Sequence, residues 1–128
     1  MISRYLGAGV VAGALALSSS VALADGDPED GAKVFNKCKA CHTVEEGKNR
    51  VGPSLYNIIG REPASVEGFR YSKAMEEFAN GHTWDDETLH TYLEKPKELV
   101  PGTKMAFVGL KTPEDRDDVI AYLKQFSE

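Results

Sequence analysis

Residues 36–44 read Asn-Lys-Cys-Lys-Ala-Cys-His-Thr-Val and hold both cysteines of the chain, Cys38 and Cys41, with His42 directly after the second. No other stretch narrows the fold as much, because two thiols at this spacing serve few chemistries. A disulfide oxidoreductase places C-x-x-C after a strand in a βαβ pattern, and the surrounding sequence has no such pattern. Tetrahedral zinc needs four ligands, and the other histidines, His82 and His90, are not at finger spacing. A structural disulfide between residues three apart closes a tiny loop and stabilises little. Haem attachment uses all three side chains, since C-x-x-C-H is its spacing. Positions i and i+3 share one face of a helical turn. Both thiols then reach one edge of a porphyrin, and the imidazole that follows reaches the iron.

The start of the chain agrees with that chemistry. Residues 1–24 carry one charge, Arg4, then an apolar run from Tyr5 to about Leu17, and close on Ala22-Leu23-Ala24. This reads as a secretory signal peptide cut after Ala24. The apolar run is shorter than the roughly 20 residues that span a membrane. Bacterial haem attachment takes place outside the cytoplasm, so an export signal fits. Removing 24 of 128 residues leaves one domain over residues 25–128. Of 15 basic and 20 acidic residues only Arg4 leaves with the leader, so this domain keeps 14 and 20, a formal charge of −6. An acidic domain is a poor match for nucleic acid, and it holds no second apolar stretch for stable membrane insertion.

Three stretches carry helix signals. In 27–42 Asp27 can cap, Pro28 suits the first helical position, and Glu29 and Asp30 suit the positive end of the dipole. In 112–126 Thr112 caps, Pro113 starts, and Val119, Tyr122, Leu123 and Phe126 recur at helical spacing. In 84–96 Leu89, Tyr92 and Leu93 share a side, and Pro96 stops the pattern. A shorter helix is expected through 72–80, ended by Asn80-Gly81. No alternating strand pattern occurs, so the expectation is all-α with long loops rich in Gly and Pro. Such a small domain has little to wrap those loops around, unless a large apolar cofactor completes the core.

Beyond the motif, "CKACH", "VGPSLYNIIGR", "GFRYS", "TWDDETLHTYLEKP", "VPGTKMAFVGL" and "DVIAYLK" follow one another along the chain. In order and spacing these segments resemble the class I c-type cytochromes, a group that includes mitochondrial cytochrome c and the exported bacterial cytochrome c2 proteins. The resemblance runs over nearly all of residues 27–126. It implies the small helical cytochrome c fold, wrapped around one covalently attached haem c.

Carried over residue by residue, the resemblance implies that Cys38 and Cys41 hold the haem and that His42 is the proximal iron ligand. It makes Met105 the distal ligand, with Pro101-Gly102 setting its loop. Met75, on the short helix, reads as core, and His82 and His90 read as surface or loop histidines. The Pro53 carbonyl is the implied acceptor for the other nitrogen of His42. Arg61, Tyr71 and Trp84 match positions that serve a haem propionate, directly or through water. Tyr92 and Thr103 match groups beside the distal sulfur. Gly31, Phe35, Val119 and Tyr122 match the packing of the first helix on the last.

With both axial positions filled, the resemblance implies outer-sphere electron transfer between Fe(III) and Fe(II), not catalysis. It implies a periplasmic monomer that carries electrons from a cytochrome bc complex to a cytochrome c oxidase or a photosynthetic reaction centre. Docking would be transient and electrostatic, around Phe107 and a ring of Lys33, Lys37, Arg50, Lys97, Lys104 and Lys111. The acids gather elsewhere, at Glu29 and Asp30, at 85–87 and at 114–118. A positive face on an acidic molecule is therefore expected. The competing class, a haem peroxidase or gas sensor, wants an open sixth position and a distal acid–base pair. Met105 argues against the first, and no such pair is visible.

Overall fold

Asp27 opens the first helix by accepting hydrogen bonds from the backbone of Glu29 at 2.8 Å and Asp30 at 3.4 Å. The computed structural model describes residues 7–15 and 26–128. The Ala22-Leu23-Ala24 cleavage pattern lies outside the described residues. Residues 7–15 have no regular secondary structure and are exposed. Among the described residues there are five helices and no strand: α1 (Pro28–Phe35), α2 (Lys73–Phe78), α3 (Asp86–Glu94), α4 (Pro96–Leu99) and α5 (Pro113–Lys124). None is long and apolar enough to cross a membrane.

Each of the longer helices starts at a side-chain cap. Thr112 accepts from the Asp115 N–H at 3.4 Å and Asp85 from that of Thr88 at 2.8 Å. Ser72 does the same for Met75 at 3.0 Å. Such a cap is typically worth about 1 kcal/mol. The all-α class is as expected, but two bounds differ. The first helix ends at Phe35 rather than running to His42, because the next residues offer no continuous apolar stripe: Asn36, Lys37, Lys39 and Ala40 are all exposed. Consecutive turns replace it, with the Cys38 N–H on Phe35 O at 2.8 Å and the Cys41 N–H on Cys38 O at 3.1 Å. The second difference is α4, a single turn in a stretch read as loop. It has no side-chain cap and is held by burial of Pro96 and Val100, whose N–H reaches Pro96 O at 2.9 Å.

The core is built where α1 meets α5. At Gly31 a Cβ would stand 1.9 Å from the Asp118 carbonyl oxygen, so only glycine lets the two backbones approach. Beside it Phe35 packs on Tyr122 with ring centroids 5.2 Å apart. Val34, Val119, Ile120 and Leu123 fill this crossing, while Trp84, Leu89, Tyr92, Val100 and Leu110 carry the core toward α3. Met75 is buried in the same cluster. Cys38, Leu55, Ile59, Tyr71, Met105 and Phe107 are only partly buried and pack against its edge.

Candidate functional site

His42 is fixed within its own neighbourhood. Its N–H donates to Cys38 O at 2.9 Å, closing the turn that carries both thiols. Its Nδ1 lies 2.7 Å from the Pro53 carbonyl oxygen. A carbonyl only accepts, so Nδ1 carries the proton and Nε2 keeps a free lone pair. Gly52 packs directly against the ring: a Cβ there would come within 2.3 Å of His42 Cε1. The Gly52 N–H in turn donates to Cys41 O at 2.8 Å. Burial holds the imidazole below its ordinary pKa, and the Arg61 charge adds to that; the Pro53 bond works in the opposite direction. The ring is therefore a neutral imidazole at neutral pH, the form that ligates metals.

Cys38 and Cys41 are free, partly buried thiols. Burial, with Cys41 next to it, pushes the Cys38 thiol up to about 11, against a smaller opposing pull from Lys37. Among the described residues no group of three or more His, Cys, Asp or Glu converges as a metal cage.

The second sulfur lies far along the chain. Met105 is partly buried against the core, and Tyr92 Oη lies 3.8 Å from its Sδ. The Met105 N–H donates to Thr103 Oγ1 at 3.3 Å. Burial raises the Tyr92 phenol, and its hydrogen bond with Thr103 partly offsets that. Gly102 has φ of 94°, a left-handed turn that glycine adopts freely.

Arg61 donates to Tyr56 O at 2.8 Å and to Ser54 O at 3.2 Å, yet its Nε is buried without a partner. Burial lowers its pKa, and Tyr71 opposes that. Tyr71 Oη accepts from the Val66 N–H at 3.0 Å. Trp84 is buried between Phe78 and Tyr92. A haem fits these side chains: the bare Nε2 of His42 and the Sδ of Met105 are the donor types that haem iron takes, and a propionate would satisfy the orphaned Arg61 Nε.

The cations expected to form the docking ring all lie at the surface. Lys33, Lys37, Arg50, Lys97, Lys104 and Lys111 are exposed and Phe107 is half-buried. Lys97 and Phe107 line one cleft together with Lys95, Glu98, Ala106 and Val108. Lys33 is paired with Asp30 at 3.2 Å, and Arg50 donates to Lys39 O at 3.3 Å.

The family model for cytochrome c matches residues 28–127. The chain belongs to the cytochrome c family. It is 56% identical to a cytochrome c2 of Afifella marina over 98 residues, covering 75% of this chain and 79% of that one. It is 53% identical to a cytochrome c2 of Rhodomicrobium vannielii over 112 residues, 87% and 88% of the two chains. Among solved structures it is similar to cytochrome cH from Methylobacterium extorquens, with a TM-score of 0.73 and 44% identity over 78% of this chain and 99% of that one. The family implies a covalently bound haem c.

Two placements escaped the sequence reading, one at the site and one away from it. Gly52 was readable only as the partner of Pro53, although it is the glycine that admits the ring. His90 is a correction: it is neither a loop nor a free surface histidine but sits on α3, bonded to Asp117 and Arg116 on α5.

Proposed function

We propose that the chain is a soluble periplasmic electron carrier between a cytochrome bc complex and a terminal oxidase or photosynthetic reaction centre. Haem c supplies the one-electron Fe(III)/Fe(II) couple when bound. Cys38 and Cys41 would hold it through thioethers to the turn that starts at Phe35. His42 would ligate through Nε2 and Met105 through Sδ. Thioether ligation favours the reduced state and raises the potential. Tyr92 would adjust the sulfur by hydrogen bonding, Thr103 holds the Met105 N–H and the Tyr92 hydroxyl, and Arg61, with Tyr71 and Trp84, would receive the propionates. With His42 and Met105 both donating, the chain itself would supply two iron ligands besides the porphyrin and leave no place for a substrate on iron, which favours electron transfer over catalysis.

The observation that carries this reading is the neutral His42, its Nδ1–H spent on Pro53 and its Nε2 free, one residue after two thiols. Docking uses Lys33, Lys37, Arg50, Lys97, Lys104 and Lys111 around Phe107, with complementary charge speeding encounter. Residues 1–24 act as a signal peptide removed on export.

Expression in a host that matures c-type cytochromes tests the reading. A periplasmic fraction run on a denaturing gel should show haem stain at the mature band, with Asp25 as its first residue. C38A/C41A should lose the stain. No haem on the wild-type band, or a cytoplasmic location with the leader intact, would contradict it.

A further inference from the structure

One polar cluster lies outside every role assigned above. His90, on α3, bridges two neighbouring residues of α5. Its Nε2 meets Asp117 Oδ1, and Arg116 Nε donates to its Nδ1 at 3.1 Å. An arginine Nε–H only donates, so Nδ1 is bare and the ring proton sits on Nε2, donated to Asp117. His90 thus links an anion to a cation.

Arg116 is only 6% exposed, and its Nη1 donates at 2.6 Å to Leu110 O. Leu110 ends the segment that carries Met105. Its N–H donates to Leu93 O at 2.7 Å, and Gly109 lies so close to α3 that a Cβ would stand 2.0 Å from Glu94 O. Between this foot and Val100 the segment has little of its own. It makes a turn bond from the Thr103 N–H to Val100 O at 3.0 Å and the 3.3 Å contact of Met105 with Thr103. The place of Met105 therefore depends on how firmly its foot is held. Arg116 holds one side of that foot with a long side chain that would otherwise sample many rotamers. His90, oriented by Asp117, supplies the second fixed point.

We propose that His90 is a positioning residue for Met105, acting through Arg116 and the Leu110 carbonyl. The inference rests on Met105 as the distal ligand. A second bridge between the same helices, Lys124 to Asp86 at 2.6 Å, is more exposed and reaches neither Arg116 nor Leu110. It separates positioning from plain cross-linking of α3 to α5.

The test uses ferric holoprotein at fixed pH, titrated with imidazole and followed at the weak far-red band that marks sulfur ligation. Imidazole competes with Met105, so its apparent affinity reports the fraction of molecules whose loop is open. H90A should bind imidazole about tenfold more tightly, the effect of losing one charge-assisted hydrogen bond. H90Q, whose carbonyl can accept from Arg116 while its amide donates to Asp117, should return to within about twofold of wild type. D86N should leave imidazole affinity unchanged. Should H90A fail to accumulate, D117N carries the same test with a smaller shift in the same direction. Wild-type affinity in H90A, or a shift in D86N equal to that in H90A, would overturn the proposal. A wild-type protein without the far-red band would instead remove Met105 as ligand, and the reading beneath with it.

Discussion

The two sides of the candidate haem site are built in opposite ways. On the His42 side every fixing contact is local: Cys38 O, Cys41 O, Gly52 and Pro53 all lie within one short stretch of chain. On the Met105 side the fixing contacts come from α3 and α5, through Leu93 O, Glu94 O, Tyr92 and Arg116. A locally closed turn keeps its geometry as long as its own few bonds last. A loop held mainly at its ends opens in a smaller, cheaper fluctuation than global unfolding. On the proposed reading, this difference would make the histidine the permanent ligand and the methionine the exchangeable one.

The largest effect on the candidate haem site should come from the contact made on the His42 ring itself. G52A drives a Cβ into the His42 ring and should cost about 3 kcal/mol. It should also reduce the yield of haem-stained protein, read by thermal unfolding and gel stain. G109A strains a residue at φ of 113° and presses on Glu94 O. It should cost about 3 kcal/mol as well, yet keep covalent haem and lose the far-red sulfur band. If both variants failed in the same way, the contrast between the two sides would break.

Y92F removes the hydroxyl 3.8 Å from Met105 Sδ. It should weaken the loop by about 0.5–1 kcal/mol, seen as a shifted far-red band and modestly tighter imidazole binding, with thermal stability nearly unchanged. The smallest structural effect is expected at the surface. K37E/K97E alters two exposed cations and should leave stability and both ligands untouched. It should slow reduction by a membrane complex about tenfold at low salt, a difference that fades as salt is added. Unchanged rates would remove the docking face.

The sequence was most readable where the physics is local. The spacing of Cys38, Cys41 and His42, the Asp27 and Thr112 caps, and the Gly31–Phe35 face each depend on residues a few positions apart. The early end of α1 was harder to see, because its caps and spacing are sound and only the exposure of Asn36 and Lys37 stops it. The α4 turn was hidden by prolines on both sides; it forms because Pro96 can open a helix and Val100 is buried beyond it. The partners of His90 could not be read at all. They lie 26 and 27 residues away, and no local pattern pairs a histidine on one helix with an Arg-Asp dipeptide on another. Gly52 carried the signal of a glycine before proline, but the ring it accommodates is defined only in three dimensions.

The central claim is that the chain itself fills both axial positions of one covalent haem, His42 permanently and Met105 through its loop. The visible spectrum of the purified protein, oxidised and reduced, with and without carbon monoxide, tests it most directly. Sharp reduced bands, a far-red band in the ferric form and no binding of carbon monoxide are the predicted result. Haem bands without the far-red band, or ready uptake of carbon monoxide, would mean an open sixth position and contradict the account.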